Sequence, residues 1–412
     1  MKYGVIGEHL KHSFSKEIHA QIGNYPYEIK EIEPENLEDF IKNRDFLGIN
    51  VTIPYKEKVI PMLDYVDPSA LKIGAVNTVV NREGKLYGYN TDYLGMKALV
   101  KRIGLDIKGK KVLVIGTGGT SKTATEVLKD MGAKEIIYVS HKKMQGAFSY
   151  EEIYAYHTDC EIIFNTSPVG MYPQNDGIPL DLEKFPKLEG VLDVVYNPIR
   201  TNLVLKAQEL GIKSQGGLYM LGAQAVFANE YFMSHKIDKE LCERVYKNVL
   251  SCKNNIVLIG MPSSGKTTIG KRLSEMTGKT FVDTDDEIVK KIGMSIPLYF
   301  EKYGEEEFRR IESLVVGKVS AQNNQIIATG GGVILKNENV RRLKQNGLLY
   351  FIDRDLELLC PTDNRPLSSN KEALKKRYEE RYPIYKTSCD VAIDGNGTVE
   401  QVAEKIFKEW QK

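Results

Sequence analysis

No apolar run in the chain approaches the roughly 20 residues a helix needs to cross a bilayer. The N-terminus turns polar at Glu8, which leaves no secretory hydrophobic stretch. Neither sign of charge is in excess: 57 lysines and arginines face 55 aspartates and glutamates, a formal net of +2. That balance gives no reason to expect nucleic acid or an anionic membrane as partner, so any affinity for phosphate must come from local sites. Cysteine is scarce as well. The five (Cys160, Cys242, Cys252, Cys360, Cys389) lie far apart, form no CxxC pair and are odd in number. Free thiols in a reducing compartment are the reading that fits. Repeats and low-complexity tracts are missing too. These absences point to a cytoplasmic protein, and they say nothing of its oligomeric state.

What is present is a chain of 412 residues, long enough for two or three domains, with 42% hydrophobic and 27% charged residues. Two short β-branched runs stand out, each ending in a glycine-rich turn. Lys111-Val112-Leu113-Val114-Ile115 leads into Gly116-Thr117-Gly118-Gly119-Thr120, and Asn255-Ile256-Val257-Leu258-Ile259 leads into Gly260. Continuous apolar runs of this length read as buried parallel strands. A helical pattern follows each: Ala124, Val127, Leu128 and Met131 before Gly132, and Ile269, Leu273 and Met276 before Gly278. Strand, glycine loop and helix together aim backbone N–H groups and a helix dipole at phosphate. One chain therefore carries two nucleotide-site signatures, and the fold class is α/β. A connector is expected at Leu250-Ser251-Cys252-Lys253-Asn254, after a helical stretch from Lys239 to Val249.

The second signature is the more specific. Gly260-Met261-Pro262-Ser263-Ser264-Gly265-Lys266-Thr267 fits GxxxxGK[ST]. The backbone from Pro262 to Gly265 would cradle phosphates, Lys266 would reach the β and γ oxygens, and Thr267 would ligate Mg²⁺. Many nucleotide hydrolases share the motif, so it does not name an acceptor. Phe281-Val282-Asp283-Thr284-Asp285 reads as a strand ending in two carboxylates; alternation in an extended segment would put both on one face. Then come Phe308-Arg309-Arg310-Ile311-Glu312, Ala328-Thr329-Gly330-Gly331-Gly332, Asn364-Arg365-Pro366-Leu367 and Glu380-Arg381-Tyr382-Pro383-Ile384-Tyr385. Singly these are a solvated helix face or a plain turn.

In this order and spacing they resemble the shikimate kinase family, from Asn255 to about Trp410. The resemblance implies a P-loop α/β kinase domain over 254–412 that uses ATP and Mg²⁺. It makes Asp283 the Mg²⁺-associated aspartate and Asp285 the residue on the substrate hydroxyls and the base. Arg309 and Arg381 become the pair on the shikimate carboxylate, Gly331 the backbone beside the ring, and Arg365 the lid arginine on the transferring phosphoryl group. The sequence departs from the family at Leu358, where an adenine-stacking arginine is usual.

The first signature lacks the third glycine of GxGxxG, since Ser121 stands there. After the following strand, Glu135-Ile136-Ile137-Tyr138-Val139, an NAD enzyme carries Asp or Glu for the ribose 2′-OH. This chain has Ser140-His141-Lys142-Lys143 instead. A cationic turn suits a 2′-phosphate and favours NADP; an exposed basic turn is the other reading. The N-terminal ninety residues are rich in polar turns: His12-Ser13-Phe14-Ser15, Thr52-Ile53-Pro54-Tyr55-Lys56-Glu57, Gly74-Ala75-Val76-Asn77-Thr78 and Asn90-Thr91-Asp92. Alone, such residues are ordinary turn formers.

Together they resemble the shikimate dehydrogenase family, over Met1 to about Val249. The resemblance implies a split architecture, with a substrate domain from 1–93 and 216–250 around a Rossmann NADP-binding domain at 94–215. Ser13 and Ser15 match the serines on the substrate carboxylate. Asn77, Asp92 and Gln224 match ligands of the ring hydroxyls, and Thr52 and Tyr196 match other substrate contacts. Lys56 matches the catalytic lysine, with Asp92 beside it. Gly116 to Thr120 and Gly217 fall to the cofactor, as do His141 and Lys142 of the cationic turn, which stand where the family usually has an Asn-Arg-Thr motif. The implied reactions are NADPH-dependent reduction of 3-dehydroshikimate to shikimate, then ATP-dependent phosphorylation of shikimate. Two other readings keep the folds: a related polyol acid such as quinate as substrate, or a second half that only senses nucleotide.

Overall fold

The computed structural model describes residues 1–10, 14–236, 238, 240–359 and 371–411. Two expected site residues, Ser13 and Arg365, lie outside the described residues. The chain divides into two compact units, Met1–Leu250 and Ser251–Lys412.

The first unit begins with a mixed sheet of β1 (Tyr3–Gly7), β2 (Glu28–Glu31), β3 (Gly48–Val51), β4 (Tyr65–Val66), β5 (Thr78–Arg82) and β6 (Lys85–Tyr89), in the order β2-β1-β3-β5-β6-β4. Helices α1 (Ser15–Ile22), α2 (Leu37–Asn43) and α3 (Pro68–Ile73) connect its strands. β5 and β6 form a two-residue hairpin because Glu83 and Gly84 both take positive φ, the turn whose twist suits antiparallel partners. α4 (Thr91–Arg102) then leads into a second, wholly parallel sheet.

That sheet holds β7 (Lys111–Ile115), β8 (Glu135–Val139), β9 (Ile162–Asn165), β10 (Gly190–Asp193) and β11 (Lys213–Gln215), in the order β11-β10-β9-β7-β8. α5 (Gly119–Asp130), α6 (Tyr150–Tyr156) and α7 (Asn202–Glu209) are its crossovers. The apolar run Val112–Ile115 is fully buried, as a strand covered on both faces must be. Strand order reverses between β7 and β9, and ligands of doubly wound sheets bind in the crevice at such a reversal. α8 (Leu218–Met233) runs back along α4, and α9 (Glu240–Lys253) follows.

Gly95 permits the close approach of α4 and α8: a Cβ there would meet the Met220 carbonyl at 2.8 Å. Residues 93 and 94, where a domain boundary is expected, are both inside α4. Met96, Leu99 and Val100 of that helix share one buried cluster with Val127 and Leu128 of α5 and Val226 of α8. The connector expected at 250–254 is helical as far as Lys253. Lys279 explains that local order, because its Nζ donates to Ser251 O at 2.7 Å and Asn254 O at 2.9 Å, carbonyls that a helix end leaves without partners.

The second unit is a parallel sheet of β12 (Asn255–Ile259), β13 (Thr280–Asp283), β14 (Gln325–Ala328), β15 (Gly347–Asp353) and β16 (Val391–Asp394), ordered β13-β14-β12-β15-β16. Around it lie α10 (Lys266–Thr277), α11 (Thr284–Ile292), α12 (Ile296–Ser320), α13 (Asn337–Asn346), α14 (Lys371–Ser388) and α15 (Val399–Trp410). Alternate residues of the same strands feed two cores. Val257, Ile259 and Phe351 pack on one face; Ile256, Leu258 and Tyr350 pack on the other.

One local expectation fails. Asp283 and Asp285 do not alternate along an extended strand: β13 stops at Asp283, and Asp285 lies in the first turn of α11. The Asp283 carboxylate accepts the Asp285 N–H at 2.9 Å and so starts the helix as its N-cap.

Among the described residues, no helix is long and apolar enough to cross a membrane. Four described cysteines are free: Cys160 and Cys242 are buried, Cys252 is exposed and Cys389 is half-buried.

Candidate active sites

In the first unit the polar cluster gathers at the N-terminus of α4. Asn90 caps that helix by accepting the Tyr93 N–H at 3.0 Å, which sets Thr91 and Asp92 in its first turn. Lys56 comes from the turn after β3, held there because the Val76 N–H donates to the Lys56 carbonyl at 2.8 Å. Its Nζ lies 2.6 Å from Asp92 Oδ2, and both side chains are only partly exposed. Asn77 is buried and accepts the Thr91 N–H on Oδ1 at 2.6 Å. That bond fixes the orientation of the amide, so any ligand contact falls to its Nδ2 donor. Gln224 of α8 reaches the same spot: its Oε1 is 3.5 Å from Thr91 Oγ1, and its Nε2 donates to Leu221 O at 3.0 Å.

Lys56, Asn77, Asp92 and Gln224 thus come together around one helix turn. Ser15 begins α1, and the ring of its neighbour Phe14 meets Tyr196 edge-on at 5.6 Å. Thr52 sits half-buried just past β3, its N–H on the Ile6 carbonyl at 3.0 Å.

The glycine loop lies at the end of β7, beside the reversal in strand order. Gly116 donates to the Val139 carbonyl at 2.9 Å, which brings the loop next to the basic turn after β8. Side chains built on Gly118 or Gly119 would meet nothing within 4 Å, so the space above the α5 N-terminus is open. No side chain caps that helix, and its first N–H groups face the same opening. Thr117 belongs to this turn, its Oγ1 donating to Met144 Sδ at 3.1 Å, and Thr120 lies in the first turn of α5. A cavity of about 420 Å³ adjoins it, lined by Lys72, Thr117, Ser121, Lys122, Tyr138 and Gln145 among others. His141 and Lys142 are exposed and do not line it; the His141 ring leans on Tyr150 at 4.5 Å.

Gly217 is the N-cap of α8, where any Cβ would collide with the Val194 carbonyl. Asp193, a residue the motifs did not single out, is fully buried just upstream. It accepts from Thr201 Oγ1 at 2.6 Å, Val195 N at 2.9 Å and Asn165 Nδ2 at 3.0 Å. Burial pushes its carboxyl up to about 7, against the pull of those three donors. It is a hub that ties the ends of β9 and β10.

One stripe of α5 meets in turn the loop that carries Lys56, then α3, then α4. Lys122, Glu126 and Asp130, each four residues apart, meet Glu57 at 3.0 Å, Lys72 at 2.6 Å and the Tyr93 hydroxyl.

In the second unit the loop from Gly260 to Gly265 wraps the N-terminus of α10. Lys266 is buried and folds onto the loop, donating to Gly260 O at 2.9 Å and Met261 O at 2.8 Å. Ser264 is buried beneath it, while Pro262 lines the neighbouring pocket and Ser263 takes a positive φ of 65°. Thr267 Oγ1 donates to Asp283 Oδ2 at 2.8 Å, so the hydroxyl and carboxylate expected around a divalent ion are already adjacent. Among the described residues, no group of three or more His, Cys, Asp and Glu could hold a metal ion. A hydroxyl with one carboxylate fits an ion that takes its other ligands from phosphate and water.

Beside this loop lies a cavity of about 700 Å³ with Asp285, Arg309, Gly331 and Arg381 in its lining. Arg309 pairs with Glu312 at 2.8 Å and Glu305 at 3.2 Å. Glu312 is buried, and burial raises its carboxyl above the usual range despite that pairing. Arg381 donates to the Gly331 carbonyl at 3.0 Å. The Tyr385 hydroxyl is within reach of both Gly331 O at 2.5 Å and Gly260 O at 2.9 Å, and its single proton serves one at a time. Tyr385 and Glu312 were missed as site residues. Glu312 was visible as the residue three beyond Arg309, one helical turn on; a buried tyrosine beside two glycine turns leaves no such mark. Leu358 is an exposed leucine where the family resemblance expects an arginine.

Residues 5–79 match the family model described as shikimate dehydrogenase substrate binding domain, and residues 262–411 match the one described as shikimate kinase. A shikimate dehydrogenase (NADP(+)) of Clostridium perfringens is 37% identical over 269 residues, 61% of this chain and 98% of that protein. Among solved structures, shikimate dehydrogenase 1 from Peptoclostridium difficile is 36% identical with a TM-score of 0.55, covering 60% of this chain and 98% of its own. Shikimate 5-dehydrogenase from Thermus thermophilus, solved in complex with NADP(H) and shikimate, is 29% identical with a TM-score of 0.54, covering 60% and 99%.

Proposed function

The chain belongs to the shikimate dehydrogenase family and carries a shikimate kinase domain in its second unit, and from that premise we propose that it makes shikimate and then phosphorylates it. We assign 1–250 to NADPH-dependent reduction of 3-dehydroshikimate and 254–412 to ATP-dependent transfer onto the shikimate hydroxyl.

The observation that carries the first assignment is the 2.6 Å pair of Lys56 and Asp92. NADPH, when bound, supplies the hydride to the ring carbon. The oxygen on that carbon must then gain a proton, and a positioned ammonium beside a carboxylate delivers one. Asn77 and Gln224 sit where they can bind the ring hydroxyls, with Ser15 and Tyr196 toward the carboxylate end. The open space over Gly118 and Gly119 suits the pyrophosphate, and the names of the relatives support NADP over NAD. His141 and Lys142, in the turn after β8, are the cations we assign to a 2′-phosphate.

For the second assignment, Thr267 and Asp283 would hold Mg²⁺, with Lys266 and the loop amides on the phosphates. Arg309 and Arg381 offer planar guanidinium groups to the acceptor carboxylate. Asp285 lines the same cavity, where it orients the acceptor hydroxyl and takes its proton.

The test is direct. Purified chain is incubated with 3-dehydroshikimate, NADPH, ATP and Mg²⁺, and products are identified by mass. Shikimate 3-phosphate is expected, with shikimate alone when ATP is withheld. Oxidation of NADPH with no phosphorylated product would sink the kinase assignment, and 3-dehydroshikimate left unreduced would sink the other.

A further inference from the structure

Arg377 is not among the residues that motif or family resemblance brings forward, yet it lines the acceptor cavity with Arg309 and Arg381. It lies four residues before Arg381 on α14, so both project from one face of the helix. Charge decides what it is for. The cavity wall carries three carboxylates, Asp285, Asp286 and Glu312, against three guanidinium groups, Arg309, Arg377 and Arg381. Arg309 is already engaged by Glu312 at 2.8 Å and by Glu305 at 3.2 Å, which spends much of its field. Two guanidinium groups alone would leave the wall net negative, and an arriving anion would be repelled.

We propose that Arg377 is a specificity-determining residue of the kinase site, supplying the positive charge that draws the carboxylate of the ring acid into a pocket crowded with aspartate and glutamate. This rests on the assignment of the second unit as a kinase of an anionic acceptor. Arg377 is half-exposed at the pocket wall, so it acts on capture, while the transfer step stays with Asp285, Lys266 and the Thr267–Asp283 pair. Burial, then the repulsion of Arg381, lowers the affinity of its guanidinium for the proton, which fits cations held close enough to prefer an anion between them.

The test compares wild type, Arg377→Gln and Arg377→Lys in shikimate saturation curves at low and high salt, with ATP curves on the same preparations. The glutamine variant is expected to raise the shikimate KM roughly tenfold at low salt, with kcat and the ATP KM within about twofold. The rise shrinks at high salt because screening weakens the field in both proteins. Lysine, which keeps the charge, restores most of the loss. A shikimate KM within about twofold of wild type at low salt overturns the proposal. So does a loss that lysine does not repair, which marks a shape requirement, or a fall in kcat at unchanged KM, which places Arg377 at the transfer step. If wild type itself does not phosphorylate shikimate, the kinase assignment fails before Arg377 is at issue.

Discussion

Asp283 divides its carboxylate between two partners: Oδ2 accepts from the Thr267 hydroxyl at 2.8 Å, and Oδ1 accepts the Asp285 N–H at 2.9 Å. One side chain therefore sets the spacing between the Thr267 hydroxyl beside the phosphate loop and the Asp285 carboxylate that lines the neighbouring cavity. The two aspartates differ in structural place, since one caps α11 and the other rides on its first turn.

Asp285→Asn follows from that division. The amide keeps the size and the helix start but takes no proton. Phosphorylation of shikimate is expected to fall by about 10²–10⁴, with ATP–Mg²⁺ binding near wild type. Nucleotide titration and shikimate saturation on one preparation check it. A large loss of ATP binding with shikimate binding intact would exchange the roles of Asp283 and Asp285.

Lys56→Ala removes the proton donor of the 2.6 Å pair and leaves the glycine loop untouched. Turnover of 3-dehydroshikimate is expected to drop by about 10²–10⁴, while NADPH binding and the kinase rate of the same chain hold. The kinase rate serves as the internal measure of protein amount. Dehydrogenase activity within about threefold of wild type takes Lys56 out of the mechanism.

The double change His141→Ala, Lys142→Ala tests the basic turn. Both side chains are exposed, so each contact to a 2′-phosphate sits at the weak end of charge-assisted bonds. The NADPH KM is expected to rise about tenfold with NADH kinetics unchanged. Equal use of NADH and NADPH by wild type would return the turn to an ordinary surface feature.

His19 gives the first unit an acid weakness. It is buried, stacked on Tyr27 with ring centroids 3.7 Å apart, and its Nδ1 meets the Tyr25 hydroxyl at 2.5 Å. Burial lowers its pKa from 6.5 to about 3. The unfolded chain thus binds the proton first, so this group's contribution is complete above about pH 6.5 and is lost as pH falls toward 3. Going from neutrality to about pH 5 costs wild type about 2 kcal/mol through this ring alone. Denaturant melts of wild type and His19→Phe at both pH values check it. The difference in stability between the two proteins is expected to shift toward the variant in acid, and a pH-independent difference would contradict it.

The strands and nucleotide loops were legible because each depends on neighbours in sequence. An unbroken apolar run such as Val112–Ile115 announces a strand buried on both faces, and the glycines after it announce the turn. Lys56 and Asp92, by contrast, are joined only through the packing of α4 against the turn after β3; their motifs suggested the pair and the fold supplied the distance. The Asp283–Thr284–Asp285 segment was misread because a capping carboxylate and a strand-end carboxylate look alike in sequence. Asp193, Glu312 and Arg377 went unassigned for a common reason. Each depends on partners or cavity walls that are fixed only in three dimensions.

The stripe of Lys122, Glu126 and Asp130 along α5 adds ion pairs and one hydroxyl contact to the apolar cluster that α5 shares with α4. The Glu57–Lys122 rung is open to solvent on both sides, and exposed pairs of that kind are worth at most about 1 kcal/mol. Water and salt replace such a rung almost without loss. Salt therefore loosens that rung and leaves the apolar cluster shared by α4, α5 and α8 as the durable hold on the helix.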